Sequence, residues 1–542
     1  MKRKLSILLS GILFIAAVLT GCSNSEQGRG GNDKTSEAQK TDVKQMVRLN
    51  IPSEPTSLDP GLAADSVSLN LTLNLFEGLT RISDGKPENA LAQDIKVSED
   101  MKTYTFTLRE AEWSNGEPVT AHDFEFAWKR VLDPKTASIY AYIMYYLKNA
   151  EKFNHGEGTA DDVGVKALDN KTLEVTLENP TPYFKELVSI GAYYPVNKKL
   201  VSSTPSWAAN ADTFVSNGPF KLDVWEHKSK LTFRKNDNYW DKSAVHLEKI
   251  DFSMVEDVNT ELSMYENDDI DWAGRPFSYF SNDAISALKD SGQLQTEPAS
   301  GTYYYTFNTE RPPFTNAKIR KAFTYAIDRQ VIIDNITQAG EAPALGLVAR
   351  TMSPKPDGYF LDHDEDTAKT LLKEGMQELG ITELPPIALI YDTSSAHSKI
   401  AEAIQSQWKK VLNVEVKLEN KEYKVYLDHL QQGNFQIAKS SWYADFSDPI
   451  NFLQSYKTKS DSLNFARWEN ERYKELLNSS VSETDASKRQ EELKQAETIL
   501  MDEMPVLPIY HFLAVYIKKD KLKDVKLEAP AYVDFKRAKV EQ

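Results

Sequence analysis

Apolar residues recur along this chain with two periods, and each period marks a kind of element. In KTYTFTLR (102–109), Tyr104, Phe106 and Leu108 alternate with polar positions, which predicts a strand with one buried face. KTLEVTLENP (171–180) repeats the pattern with Leu173, Val175 and Leu177. It follows VGVKALDN, so Asp169-Asn170 predicts a hairpin turn. Helical spacing governs TAHDFEFAWKRVLD (120–133), where Phe124, Ala127, Trp128 and Val131 share a face. Thr120 is placed to cap that helix, with Asp123 completing a capping box. NAKIRKAFTYAIDR (316–329) puts Ile319, Ala322, Phe323, Ala326 and Ile327 on one face, with Asn316 as cap.

The C-terminal half alternates the two periods. IALIYD (387–392) is a short apolar run, and Ile400, Ile404, Trp408 and Val411 then form a helical stripe. VEVKLE (414–419) alternates, a short helix around Tyr423 to Leu430 follows, and FQIAKSSW (435–442) closes the series. This β-α-β-α-β order predicts an open α/β sheet. Ligands of such sheets sit outside the carboxyl ends of the strands. The segment at that place is SSWYADFSDP, Ser440 to Pro449.

The chain's start changes the picture of where this body works. Lys2, Arg3 and Lys4 precede an apolar run from Leu5 to Leu19, which predicts an export signal over 1–21. Cys22 is the single cysteine and stands directly after it. Residues 22–44 are rich in Ser, Gly, Asn, Lys and Gln, the composition of a flexible tether. The net charge of −16 speaks against nucleic acid as a partner. At 542 residues the chain exceeds one ordinary core and predicts two or three domains.

Candidate chemistry is sparse. Eight histidines are scattered without metal-ligand spacing, and no HExxH, GxSxG or GxxxxGK[ST] motif occurs. No cofactor is implied. A carboxylate pair drawn from distant residues keeps a surface hydrolase as a remote reading. Asp445, between Trp442 and Phe446, has two readings of equal weight: a turn or cap residue, or an acidic anchor in an aromatic pocket for a cationic group. Asp448-Pro449 reads as a turn.

Seven stretches, in order and spanning nearly the whole chain, resemble the peptide-binding extracytoplasmic solute-binding lipoproteins of ATP-binding-cassette importers. They are SLDP (57–60), NLFEGL (74–79), the run from Tyr104 to Arg130, SNGPFKLDVWE (216–226), LTFRKNDNYWD (231–241), AFTYAIDR (322–329) and WYADFSDP (442–449). The resemblance implies an α/β fold of two lobes with a ligand cleft between them. Residues 45–76, 201–300 and 513–542 would form lobe I, 77–200 an additional domain, and 301–512 lobe II. Leu19 to Cys22 resembles a lipobox, which implies acylation of Cys22 and a membrane anchor on the outer face of the cytoplasmic membrane.

The resemblance also implies a site. Asp445, in the family's W-x-A-D motif, would take a peptide's α-ammonium. The backbone of Ser441, Trp442 and Tyr443 would pair with the ligand on one side, and Ala64, Asp65 and Ser66 would flank it on the other. Tyr140 aligns with a tyrosine that touches the ligand. Lys439 is a candidate for the ligand carboxylate, and Arg275 and Arg311 are further basic candidates for an acidic murein peptide. Short peptides and permease subunits are the implied partners of a monomer. A non-peptide solute, or a signal peptide in a sensing role, is the alternative on the same scaffold.

Overall fold

The computed structural model describes residues 43–528 and 532–541. The export signal, Cys22 and the tether as far as residue 42 lie outside the described residues. Among those described, no helix is long and apolar enough to cross a membrane.

Three sheets organise the chain. The first orders strands Met46–Ile51, Lys249–Met254, Lys230–Lys235 and Phe220–Glu226, with the first pair parallel and the rest antiparallel. The second orders Ala92–Val97, Thr103–Leu108, Thr172–Thr176 and Val165–Ala167, all antiparallel. Its alternating residues behave as the period requires: Tyr104, Phe106, Leu108, Leu173 and Val175 are buried. The Asp169 carboxylate accepts the Lys171 and Thr172 N–H groups and fixes the turn. The helix packed on this sheet spans Ala121–Leu132. Its capping box forms, with the Thr120 N–H donating to Asp123 at 2.8 Å.

The third sheet has seven strands and carries the β-α-β-α-β unit. Ile387–Asp392 pairs in parallel with Val416–Lys421 on one side and with Ile437–Tyr443 on the other. Helices Ser395–Leu412 and Tyr423–Gln432 make the crossovers. Two 13-residue strands, Gln295–Phe307 and Val506–Lys518, lie antiparallel beside this unit. The far end of Val506–Lys518 reaches Trp272–Gly274, which pairs with Lys518–Tyr516. These strands are therefore the structural link between the β-α-β-α-β unit and the region of the first sheet. The helix Ala317–Tyr325 ends before Ala326 and Ile327, yet both are fully buried, so the predicted face continues beyond the helix.

Two large cores follow from this arrangement. One gathers Tyr303, Phe307, Phe323, Trp408 and Ile437 around the β-α-β-α-β sheet. The other joins the first two sheets to the segment after Tyr443, including Phe446, Leu453 and Leu493. The join is aromatic: Phe446 stacks on Tyr183 with ring centroids 5.3 Å apart and planes 5° apart. The segment that begins at Ala444 thus leaves the sheet and packs against the 77–200 region, which places the W-Y-A-D residues where the two cores meet.

Candidate functional site

The site starts from an incomplete sheet edge. Strand Ile437–Tyr443 is paired along its whole length with Gln295–Phe307 on one side. On the other side Ile387–Asp392 pairs only with Ile437 and Ala438. Beyond Ala438 the outer edge has no strand partner among the described residues. The Tyr426 hydroxyl donates to the Lys439 carbonyl there, and Ser441 and Tyr443 are exposed. An unpaired edge of this kind is a template for an added strand.

Asp445 stands at the end of that edge. Its Oδ2 accepts the Tyr142 hydroxyl at 3.1 Å and the Asn451 side-chain amide at 3.5 Å. Asn451 is the organiser of this turn, because its Oδ1 also accepts the Asp445 N–H at 3.2 Å and the Trp442 Nε1–H at 2.7 Å. Asp445 has no cationic partner among the described residues. Burial therefore pushes its carboxyl up to about 6, and the hydrogen bonds from Tyr142 and Asn451 recover only part of that cost. Three residues on, Asp448 is arranged the opposite way. Its carboxylate is buried and takes a two-pronged contact from Arg489, 2.6 and 2.8 Å. One acid of the segment is neutralised by the protein, and the other is left for something else.

Tyr140 lies beside Asp445, its ring stacked on Tyr142 at 6.1 Å. Burial, then the charges of Asp445 and Asp65, push its hydroxyl up to about 12. Those same charges act on Tyr532, so Asp65, Tyr140, Asp445 and Tyr532 converge. Asp65 is the N-cap of the helix Ser66–Leu75 and accepts the Ser68 N–H at 2.9 Å. Burial works against its charge, but hydrogen bonds from Ser68 and Thr56 outweigh that and hold it below the usual carboxylate range. Its carboxylate is committed to the cap. Ala64, Asp65 and Ser66 can therefore offer a ligand backbone groups, with Ser66 exposed.

Lys439 sits at the other end of the edge. Its Nζ is 3.6 Å from Asp392 Oδ1 and 5.5 Å above the Tyr303 ring. His397 faces the same acid, with Nε2 at 3.7 Å, and its Nδ1 is 3.2 Å from the Tyr303 hydroxyl. Burial and the Lys439 charge bring the His397 imidazole down to about 4. A ligand carboxylate reaching Lys439 competes with Asp392. Arg275 lies close enough to act electrostatically on Tyr443 and Tyr510. Arg311 instead donates to the Gly433 carbonyl and is not brought to this edge. The aromatic wall is completed by Phe512, stacked on Tyr443 at 4.4 Å and 8°. Sequence reasoning missed Tyr142, Asn451, Phe512 and Tyr532.

An acid without a cation among the described residues, an open strand edge and aromatic walls make up the candidate site. Residues 86–464 match the family of bacterial extracellular solute-binding proteins, family 5 (middle). The chain belongs to that family, whose members bind solutes and are not enzymes. It is 47% identical over 547 residues to the oligopeptide-binding protein OppA of Bacillus subtilis, covering 99% of each chain. It is 40% identical to the dipeptide-binding protein DppE of the same organism, again over 99% of each. Among solved structures, the unliganded open form of the periplasmic murein tripeptide-binding protein MppA superposes with a TM-score of 0.80. That pair is 32% identical and covers 92% of this chain and 98% of MppA.

Proposed function

We propose that the protein is a lipid-anchored receptor that captures short peptides outside the cell and hands them to an ATP-binding-cassette permease. The observation that carries this reading is Asp445: a desolvated carboxylate with no cation, at the end of a strand edge left unpaired, among the described residues. A peptide's α-ammonium supplies the missing charge, and its backbone supplies the missing strand. The two relatives from Bacillus subtilis, named for oligopeptide and dipeptide binding, support the ligand class. Cys22 is the anchor in this reading. The lobes are those the resemblance implies, 45–76 with 201–300 and 513–542 against 301–512, with 77–200 as the additional domain.

Lys439 lies six residues before Asp445, a separation of at most about 20 Å in extended chain. A peptide of no more than about six residues spans that distance, so Lys439 is placed for the carboxylate of a short peptide anchored at Asp445. Side-chain specificity is left to the aromatic walls and to water, as strand addition recognises main chain.

The test is thermal. A soluble body starting after Cys22 is expected to melt higher with free-amine dipeptides, tripeptides or longer peptides, by about 2.7 kcal/mol at 100 times the dissociation constant. N-acetylated versions are expected to give no shift. Equal shifts from acetylated and free peptides would remove the ammonium site from the proposal.

Proton linkage gives a second expectation. The Asp445 carboxyl, near 6 when free, must be ionised to pair with an ammonium, and pairing lowers it. Binding below about pH 6 therefore releases a proton, and affinity falls by up to tenfold for each further unit of acid. Calorimetry in two buffers of different ionisation enthalpy measures that proton. Affinity that stays flat from pH 7 to pH 5 would contradict the linkage.

A further inference from the structure

Beside Asp445 the site continues into a cavity. Its walls are apolar and aromatic, among them Leu69 and Leu73 of the helix Ser66–Leu75, Ile190, Phe446 and Tyr532. Four carboxyl side chains also line it. Three of them are engaged. Asp534 holds Arg81 at 2.7 and 2.9 Å. Glu528 accepts the N–H groups of Asp84 and Gly85 at 3.0 and 3.1 Å. Asp445 is held by Tyr142 and Asn451.

The fourth, Glu186, stands on the short helix Phe184–Leu187 and has no side-chain partner among the described residues. Burial holds its carboxyl above the ordinary range; of the nearby cations Arg489 is committed to Asp448, and Lys185 is exposed and makes no ion pair with it among the described residues. Like Asp445, it is a desolvated acid that the protein itself does not neutralise.

We propose that this cavity receives the side chain of the ligand's first residue, and that Glu186 makes it selective for lysine or arginine there. The inference rests on the peptide reading of Asp445. Asp445 is itself one of the cavity's lining residues, so an ammonium held on it starts the ligand beside the cavity, and the first side chain leaves from the adjoining carbon. A lysine side chain has five heavy atoms beyond Cα. Its methylene stem suits the leucine and aromatic walls, and its ammonium suits the free carboxylate.

Calorimetry with Lys-Ala-Ala, Ala-Lys-Ala and norleucine-Ala-Ala separates the contributions. Norleucine has the lysine stem without the charge, and Ala-Lys-Ala has the charge in the wrong place. The lysine-first peptide is expected to bind at least roughly tenfold more tightly than either, the scale of one charge-assisted hydrogen bond. Glu186→Gln is expected to erase that preference while leaving Ala-Ala-Ala unchanged. Leu73→Trp, which fills the cavity, is expected to weaken Lys-Ala-Ala and spare Gly-Ala-Ala. Equal affinities in the unmutated protein, or a preference that survives Glu186→Gln, would overturn the inference and leave the peptide reading standing. Failure of every free-amine tripeptide to bind would overturn both.

Discussion

Replacing Asp445 with alanine is expected to weaken the binding of free-amine peptides by about 2–5 kcal/mol, the usual loss when one partner of a buried charge pair is removed. The loss is large because the side chains in direct contact with Asp445 carry no charge that could replace the carboxylate. Tyr142 and Asn451 are neutral, so in its absence the ligand ammonium meets at most the oxygen of a hydroxyl or an amide. The same substitution is expected to have the opposite effect on the empty protein. The Asp445 carboxyl sits near 6 in the folded state, against an ordinary value of 3.8. A raised acid binds more protons folded than unfolded, so its ionised form costs stability at neutral pH. That cost fades as pH falls from about 6 towards 4. A rise of this size corresponds to about 3 kcal/mol at most. Asp445→Asn, which keeps the shape, is therefore expected to raise the melting temperature of the ligand-free protein at pH 7 and to lower it relative to wild type when peptide is present. A variant that binds as tightly as wild type in calorimetry would dismiss Asp445 as the anchor.

How far the sequence reaches follows from the range of each interaction. The β-α-β-α-β unit was legible because its signals are local: Ile400, Ile404, Trp408 and Val411 repeat at helical spacing and all are buried. The Thr120–Asp123 capping box is likewise a three-residue signal. The residues alone leave Asp445 between turn and anchor, and what bears on that choice is that it has no cationic partner among the described residues. That depends on the folding of distant segments. Tyr142 lies about 300 residues from the acid it contacts, and no periodicity connects them. Asp65 is a second case. The resemblance puts it beside the ligand, and the structure adds that its carboxylate accepts the Ser68 N–H as a helix cap. The structure spends its carboxylate on the cap. Lys439 was legible as a basic residue on the right strand, but not its pairing with Asp392, which comes from the neighbouring parallel strand.

The second large effect is expected from a residue the ligand does not touch. Arg489 and Asp448 are both more than nine-tenths buried as side chains. Arg489 Nε donates to the Ser480 carbonyl at 3.0 Å, and the guanidinium lies 5.0 Å from the centre of the Tyr183 ring. Asp448 Oδ1 also accepts the Ile450 N–H at 2.9 Å. Arg489→Met leaves that carboxylate buried without its cation, and such a break costs about 3–5 kcal/mol. Changing both residues to apolar ones of similar volume removes the stranded charge along with the pair and is expected to cost much less. The contrast between single and double variants tests the pair rather than the packing. Asp448 is three residues from Asp445 on a turn whose other tie is Asn451. The single variant is thus expected to lose peptide affinity as well as stability, through displacement of the anchor. Urea titration and calorimetry on both variants measure the two losses. A single variant as stable as wild type would mean that the Arg489–Asp448 pair does not hold the turn. Lost stability with unchanged affinity would mean that Asn451 alone keeps Asp445 in place.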